Sequence, residues 1–343
     1  MSRRIVFFNH KGGVSKTTSA YNIGWMLARE KRVLLVDADP QCNLSALILR
    51  DEFEKYYVED ATKHQNLKDG VSSTFGGKPV PIEPVMCATP ARAPNLHLLA
   101  GHMNLSEYDA SLTFAQTANN ALATLQNLPG AFAELLRLTE DAYDIDYTLI
   151  DLNPGLSAIN QNLFLISDGF VIPTNPDPFS LMAIQTLASV LPRWVSWKNG
   201  AVELFAESAY PLPAGVPKLV GSLIQRFNVR NGVAARPYRN NIDEIKATVS
   251  NILYPTLRDN GMVFDAACYG EKLVEANYCL AEIPDFQGLL PKSNAANVPV
   301  FEVTNAEIGE TGPVLANLIQ NRDRFEGNFR NIVAQIEQVI ACA

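Results

Sequence analysis

The feature that most constrains how this chain folds is a glycine-rich loop near its start. The apolar run Ile5–Phe8 predicts a buried strand, and the residues after Thr18 are apolar at the spacing of a helix. A glycine-rich loop between a strand and a helix presents backbone N–H groups to an anion, and the helix N-terminus adds its partial positive charge. The loop therefore predicts a phosphate-binding site, and its sequence is Asn9-His10-Lys11-Gly12-Gly13-Val14-Ser15-Lys16-Thr17-Thr18.

Two side chains of this loop carry specific chemistry. We expect the Lys16 ammonium to reach the β- and γ-phosphates of a nucleotide and the Thr17 hydroxyl to ligate Mg²⁺. The usual pattern has a glycine before the lysine, whereas this chain has Ser15. A side chain at that position requires either a negative φ or stored backbone strain. The residues expected to hold the phosphates are Gly12, Gly13, Val14, Ser15, Lys16, Thr17 and Thr18.

The spacing Lys11-Gly12-Gly13-x-x-Lys16-Thr17 resembles the deviant phosphate-binding loop of the ParA/MinD family of dimerising P-loop ATPases. The resemblance implies ATP and Mg²⁺ as cofactors and an ATP-dependent homodimer. It also implies that Lys11 crosses to the nucleotide of the partner subunit, where a cation stabilises the charge that develops during phosphoryl transfer.

Two more apolar runs end in aspartate. The strand Val33–Val36 leads into Asp37-Ala38-Asp39-Pro40-Gln41, and Tyr147–Ile150 leads into Asp151. Such runs are typical of parallel strands buried on both faces, whose carboxyl ends form the ligand-binding edge of a doubly wound sheet. The first motif resembles switch I of the family, which implies that Asp39 positions the attacking water and that Asp37 lies near the Mg²⁺ shell. The second resembles its Walker B strand, which implies that Asp151 holds Mg²⁺ through water.

Two later segments resemble the parts of the family that contact adenine. The strand Val220–Gln225 ends in Arg226-Phe227-Asn228, and Glu282-Ile283-Pro284-Asp285 resembles a loop that closes over the base. The resemblance implies that the base is contacted by Arg226, Asn228, Pro284 and Asp285.

Positive charge is concentrated in one stretch of an acidic chain. The net charge is −8, yet six cations lie within the 29 residues from Lys218 to Lys246, with Asp243 and Glu244 the only acids among them. ParA-like relatives bind DNA without sequence specificity through basic residues after the corresponding strand, and two-fold symmetry would double the phosphate contacts. The alternative is a solvated helix face whose cations neutralise neighbouring acids. The candidate DNA-binding residues are Lys218, Arg230, Arg236, Arg239 and Lys246.

Composition and patterning bound the fold class. With 47% hydrophobic and 19% charged residues, the chain is not disordered as a whole, and its negative charge excludes a generally basic nucleic-acid coat. We predict an α/β fold, a three-layer P-loop NTPase with a mostly parallel twisted sheet and helices on both faces. Local changes in charge and in proline and glycine content indicate one domain, 1–343, with insertions near 51–94, 196–216 and 251–279. We expect the second insertion to be a loop with a short helix.

The cysteines and the last helical segment indicate in which cellular compartment the protein would be found. Five scattered cysteines without a CxxC pair predict free thiols in a reducing, cytoplasmic compartment. The apolar residues from Phe325 to Ile340 recur at helical spacing, but this segment carries one arginine and no lysine. Because membrane-binding amphipathic helices need a basic face, we expect a final helix packed on the sheet and no membrane contact.

The resemblance that these motifs carry implies an ATPase, slow without an activating partner, that binds non-specific DNA as an ATP sandwich dimer. It would position or segregate plasmid or chromosomal DNA or other cargo, and a ParB-like or other adaptor would stimulate hydrolysis. DNA binding would make the cytoplasmic protein nucleoid-associated. Three alternatives stay open: a MinD-like membrane positioner, a metabolic or electron-transfer relative, and a regulatory or defence-system ATPase acting on a protein partner.

Overall fold

The fold is built on one parallel sheet. The computed structural model describes residues 2–117, 125–230, 233–234 and 236–342. Seven strands lie side by side in the order β3-β2-β4-β1-β5-β6-β9, and every neighbouring pair is parallel. Their bounds are β1 (Arg3–Phe7), β2 (Val33–Ala38), β3 (Leu96–Leu99), β4 (Tyr147–Leu152), β5 (Gly169–Thr174), β6 (Lys218–Gln225) and β9 (Cys279–Ile283). A short hairpin of β7 (Val229–Arg230) and β8 (Val233–Ala234) follows β6. The predicted parallel α/β sheet is confirmed.

Fifteen α-helices connect and cover the strands within the described residues. The first eight are α1 (Lys16–Leu27), α2 (Asn43–Leu49), α3 (Phe53–Tyr56), α4 (Leu67–Gly70), α5 (Ser72–Phe75), α6 (Asp109–Thr117), α7 (Leu128–Ala142) and α8 (Ala158–Leu165). The others are α9 (Pro178–Leu204), α10 (Arg236–Thr248), α11 (Tyr254–Arg258), α12 (Ala266–Glu275), α13 (Leu289–Ala296), α14 (Asn305–Ile308) and α15 (Gly312–Ile340).

The helices form a layer on each face of the sheet. A side chain at Gly169 of β5 would point at Ile340 of α15, whereas the next residue, Phe170, packs on Phe164 of α8 with ring centroids 5.0 Å apart. Successive residues of a strand point to opposite faces, so α15 and α8 lie on opposite sides. Helix α1 packs beside α15, and α7 and α9 pack beside α8.

Two long helices bear on the sequence predictions. Helix α15 buries the periodic apolar residues from Phe325 to Ile340, which confirms a final helix packed on the fold. Helix α9 continues through Pro192 and ends at Leu204. The loop expected near 196–216 therefore begins only after Leu204. The apolar positions Leu191, Trp194 and Val195 are buried and hold the helix together across the proline. Within the described residues, no helix is long and apolar enough to cross a membrane.

The expectation of five free thiols is wrong for two cysteines. Cys268 of α12 and Cys342, just after α15, form a disulfide across a separation of 74 residues. The fold brings them together because α15 packs against α12, a contact that cysteine spacing alone does not reveal. The other three cysteines, Cys42, Cys87 and Cys279, are free and buried.

Reducing this disulfide is expected to lower the free energy of unfolding by about 2–4 kcal/mol, because the bond restricts a long loop in the unfolded chain. Urea denaturation with and without dithiothreitol measures the difference. The Cys342→Ser variant is the control, and its unfolding curve should not respond to the reductant. Superimposable wild-type curves in both conditions would contradict the expectation.

A buried lysine gives the stability a defined pH dependence. Lys198 is 1% exposed, and its ammonium donates a hydrogen bond to Leu165 O. Burial lowers the pKa of Lys198 to about 8, against the opposing effect of Asp168. The unfolded chain therefore binds the additional proton between pH 8 and 10.5, and stability from this group rises with pH across that window. We expect the free energy of unfolding to rise by up to about 3 kcal/mol relative to Lys198→Met. Urea titrations of both proteins at pH 7, 8, 9 and 10 test this, and parallel pH profiles would exclude it.

Candidate functional site

A cavity of about 720 Å³ lies at the carboxyl edge of the sheet. The loop after β1 forms its floor, and residues that follow β2, β4, β6 and β9 form its walls. Parallel strands place all these loops at one edge, the usual ligand site of such sheets. We call this space the P-loop cavity. The predicted residues that line it are Gly13, Val14, Ser15, Lys16, Thr17, Thr18, Asp39, Arg226, Pro284 and Asp285.

The loop residues 9–15 are held by their own side chains and by neighbouring loops. Lys16 Nζ donates to the carbonyls of Asn9 (3.1 Å) and Lys11 (3.3 Å), so the buried ammonium lies under the loop. Burial lowers the pKa of Lys16, and the nearby carboxylates of Asp151 and Asp39 oppose this shift. Asn175 Nδ2 donates to Gly13 O at 2.9 Å. Gly13 has a φ of 72°, a conformation that favours glycine.

Of the two alternatives predicted for Ser15, a negative φ or a strained backbone, the structure has the strained backbone. Its φ is 64° and its ψ is 32°, which is the left-handed region, and it precedes the first residue of α1. Its carbonyl accepts hydrogen bonds from Ser19 N at 2.9 Å and Ser19 Oγ at 2.8 Å. Ser15 therefore adopts the left-handed conformation that glycine adopts without steric cost, although its side chain has a Cβ atom.

Replacing Ser15 with glycine is expected to stabilise the ligand-free protein by about 1 kcal/mol, because glycine adopts a positive φ without steric cost. Thermal unfolding of Ser15→Gly and Ser15→Ala measures the effect, since alanine keeps the Cβ and removes only the hydroxyl. Only the glycine variant should gain stability. Equal melting temperatures for the two variants would show that the strain is absent.

Three predicted aspartates lie together at the carboxyl ends of β2 and β4, and Asp39 is the one of them that lines the P-loop cavity. Asp37 pairs in register with Asp151 across β2 and β4, and both are fully buried. Asp37 Oδ2 accepts hydrogen bonds from Ser45 N (2.8 Å) and Ser45 Oγ (2.7 Å), and burial raises the pKa of Asp37 to about 6. Asp39 is 8% exposed and accepts a hydrogen bond from Gln41 N.

The surroundings of Asp151 fit a divalent cation. Neither carboxylate oxygen has a hydrogen-bond partner among the described residues, although both are buried. Burial raises the pKa of Asp151 well above its ordinary value, and the adjacent Asp37 raises it further, while the Thr17 hydroxyl and Lys16 oppose the shift. Mg²⁺ is bound by one or two carboxylates, with waters and phosphate oxygens completing six ligands. Thr17 and Asp151, with Asp37 behind them, could hold Mg²⁺ beside a bound phosphate.

Lys11 is paired within its own subunit. Its Nζ lies 2.5 Å from Asp177 Oδ2 and 3.1 Å from Ser180 Oγ. Asp177 also caps α9, since its Oδ1 accepts a hydrogen bond from Ser180 N at 3.0 Å. The lysine that the resemblance assigns to the partner's nucleotide therefore sits on the start of α9 in the single chain.

The loop after β4 is fixed by one amide. Asn160 Nδ2 donates to Asn153 Oδ1 (2.5 Å), Asn153 O (3.1 Å) and Gly155 O (3.1 Å). Gly155 N in turn donates to His10 O at 3.0 Å, so this loop and the phosphate loop are joined. Pro154 lies against Gly12, where an added Cβ would meet its ring at 3.7 Å.

The predicted base-contact residues separate into two groups. Arg226, with a φ of 60°, places Nη1 3.4 Å from Gly13 O, and Arg226, Pro284 and Asp285 all line the P-loop cavity. Asn228 is exposed and is not part of the cavity lining. Asp285 N donates to Phe227 O, which ties the loop after β9 to the end of β6.

The predicted basic stretch is not one surface. Lys218 begins β6 at the opposite edge of the sheet and lies over the Phe264 ring. Arg239 and Lys246 both pair with Glu282, at 2.9 Å and 2.5 Å, and these pairs keep the pKa of Glu282 below its ordinary value against the opposing effect of burial. Arg236 is exposed and makes no ion pair with a described residue. The side chain of Arg230 lies outside the described part of the structure.

Sequence reasoning missed two residues at the site. Asp177 carries a visible signal, because aspartate before Pro178 is typical of a helix N-cap, but nothing in the sequence links it to Lys11. Arg50 lines the P-loop cavity and has no signal in the sequence.

With this geometry, comparison with known proteins is informative. A family model described as an AAA domain matches residues 2–203, more than half of the chain. The chromosome-partitioning ATPase Soj of Thermus thermophilus is 31% identical over 191 residues, which cover 55% of this chain and 61% of Soj. The chain belongs to the ParA-like ATPase family. The match spans only about half to three fifths of the length of the first curated relatives.

Solved structures share the ParA-like fold. Protein DIP2308 of Corynebacterium diphtheriae superposes with a TM-score of 0.65 at 23% identity, covering 86% of this chain and 97% of that protein. The structure of pNOB8 ParA bound to nonspecific DNA gives a TM-score of 0.56 at 19% identity and covers 99% of both chains. At these identities the likeness extends to the fold, so the roles of individual residues rest on the geometry given above.

Proposed function

We propose that this ParA-like chain is an Mg·ATP-dependent ATPase whose ATP-bound form is a face-to-face homodimer that binds DNA without sequence specificity. The observation that carries the proposal is that Lys16 and Thr17, which line the P-loop cavity, lie beside the buried carboxylate of Asp151, whose oxygens have no hydrogen-bond partner among the described residues. A positive charge, a hydroxyl and a carboxylate are the groups needed for a triphosphate and its Mg²⁺. The name of Soj, a chromosome-partitioning ATPase, supports the same class of activity.

When Mg²⁺ is bound, it would draw charge from the transferring phosphoryl group. The residues of this chain have separate tasks around it. Lys16 holds the β- and γ-phosphates, Asp39 accepts a hydrogen bond from the attacking water, and the loop backbone excludes other water from the phosphates. Arg226, Pro284 and Asp285 bound the base end of the cavity.

An exposed apolar strip supports dimerisation on this edge. Phe179 and Met182, in the first turns of α9, are 70% and 63% exposed, and Leu156 in the loop after β4 is 44% exposed. Large exposed apolar side chains that lie together mark an interaction surface. Phe179 and Met182 lie in the same turns at the start of α9 as Asp177 and Ser180, the partners of Lys11. In the proposed dimer a second copy covers this strip, and Lys11 exchanges Asp177 for the partner's phosphates.

DNA binding and partner stimulation complete the proposal. Each subunit of a two-fold dimer would present the exposed Arg236 and its neighbours on α10, and the ParA neighbour was solved on nonspecific DNA. The ion pairs of Arg239 and Lys246 with Glu282 leave less free charge than the sequence suggests. A ParB-like or other adaptor would accelerate hydrolysis and release the dimer.

Retention of the Asp39→Ala protein on immobilised nonspecific DNA, with Mg·ATP and with Mg·ADP, tests the proposal over 50–200 mM salt. We expect retention with ATP alone and a steep loss as salt rises. Arg236→Gln should lower the slope against salt by about 2 for a dimer. Lys218→Gln removes the same charge at the opposite edge of the sheet and should leave the slope unchanged.

Two results would redirect the proposal. Absence of DNA retention with ATP, while the protein still dimerises, would mean that the ATP-bound form acts on a protein partner. Failure to bind either nucleotide would exclude the ATPase itself.

A further inference from the structure

A strained arginine stands at the end of the helix that follows switch I. Arg50 directly follows the last residue of α2 and has a φ of 52° and a ψ of −120°, a conformation that L-residues rarely adopt. Ser15 and Arg226, two other non-glycine residues with positive φ, line the same P-loop cavity. Backbone strain of this kind persists only where the surrounding structure enforces it, and it is concentrated at ligand sites.

The guanidinium of Arg50 lacks a partner for its charge. Its Nε is buried without a hydrogen bond, and Arg50 forms no ion pair with a described carboxylate. It lies beside the hydroxyl of Tyr21, whose pKa burial raises to about 12, while the charge of Arg50 opposes that shift. A second arginine near Tyr21, Arg92, is different because it pairs with Glu307 at 2.8 Å and is outside the cavity lining.

The position of Arg50 in the P-loop cavity indicates which part of a bound nucleotide it would contact. Asn43 and Leu47 lie on one face of α2, and Arg50 continues this face just beyond the helix. All three residues line the P-loop cavity. Tyr21 is one helical turn beyond Thr17 and Thr18 on α1. Arg50 therefore lies past the residues that hold the terminal phosphates, and Asp285 and Phe286 form another part of the lining.

We infer that Arg50 is a nucleotide-binding residue that donates to the α-phosphate or its ribose, the part common to ATP and ADP. This inference rests on the proposed nucleotide binding and adds a residue to it. A guanidinium beside a phosphate ester makes a charge-assisted hydrogen bond, and the strained backbone directs Arg50 toward the cavity. The guanidinium of Arg50, which forms no ion pair with a described carboxylate, would then pair with the phosphate of the nucleotide.

Isothermal titration of Mg·ADP and Mg·ATP into the wild type, Arg50→Gln and Arg50→Lys tests the inference. Arg50→Gln should weaken both nucleotides by the same factor, about ten- to a hundredfold, which is the loss expected for one charge-assisted hydrogen bond. Arg50→Lys keeps the charge and should recover part of the affinity. Arg92→Gln, which removes equal charge close to Tyr21, should bind both nucleotides as the wild type does.

The outcomes separate the possible roles. Affinities within twofold of wild type for both nucleotides would overturn the inference, and so would a loss confined to ATP, since that places the contact at the γ-phosphate. A lowered melting temperature with unchanged affinity would show a structural role instead. If Arg50→Gln fails to fold, Arg50→Lys is judged by the same criteria. A wild type that binds neither nucleotide would refute the proposed function rather than this residue's part in it.

Discussion

Replacing Lys16 with alanine is expected to abolish measurable nucleotide binding. Lys16 is 7% exposed, and its ammonium donates hydrogen bonds to the carbonyls of Asn9 and Lys11, directly under the loop that would hold the phosphates. Truncating one partner of a buried, hydrogen-bonded charge pair costs about 2–5 kcal/mol, which is roughly a 30- to several-thousandfold loss of affinity. The loss should be larger for ATP than for ADP, because the lysine reaches toward the terminal phosphates.

Fluorescence titration with a labelled ATP analogue measures this loss, and Lys11→Ala is the matched control. Lys11 belongs to the same loop and carries the same charge, but it is paired with Asp177 at the start of α9. That variant should keep the affinity of the monomer for nucleotide and lose the ATP-dependent dimer. If Lys16→Ala and Lys11→Ala bind ATP equally well, the assignment of the two lysines is wrong.

The second large effect is expected for Asp39→Ala, which should stop hydrolysis and accumulate the ATP-bound dimer. Asp39 lies at the lining of the P-loop cavity beyond the end of β2, and its Oδ1 accepts a hydrogen bond from Gln41 N. Removing a group that positions the attacking water lowers turnover by about 10²- to 10⁴-fold. Substrate binding should persist, because Lys16, Thr17 and Asp151 are unchanged.

Light scattering with Mg·ATP, together with phosphate release, tests this expectation. Asp285→Asn is the control, because it removes a carboxylate from the base end of the same cavity. It should raise KM and leave kcat close to the wild-type value. A monomer that persists for Asp39→Ala at saturating ATP would contradict the mechanism.

The parts of this fold that the sequence predicts are those encoded in consecutive residues. The strand, loop and helix around Lys16 form one continuous segment, and the apolar runs that end in Asp37 and Asp151 show both the strand and its polar end. Parallel strands share an edge, so the three motifs were expected to meet, and they do. The final helix was equally visible from the spacing of its apolar residues.

The features that were missed depend on contacts between distant residues. Ser15 is a local exception, because the sequence left the sign of its φ open and the turn into α1 makes it positive. The pair of Lys11 with Asp177 and the pairing of Arg239 and Lys246 with Glu282 join segments that are far apart in sequence. The disulfide of Cys268 and Cys342 forms because two helices pack together. A count of charges or cysteines along the chain cannot show these pairs.

The place of β1 in the middle of the sheet has a consequence for how the chain is made. Strand β1 leaves the ribosome before the other six strands of this sheet, yet its two neighbours are β4, which begins at residue 147, and β5, which begins at residue 169. Until β4 has emerged, Ile5, Val6 and Phe7 have neither of these strands to pair with. Pairings of such large sequence separation close slowly, and an apolar segment that waits unpaired is open to aggregation. The strand that leads into the phosphate loop is therefore a segment of the nascent chain that a chaperone would protect.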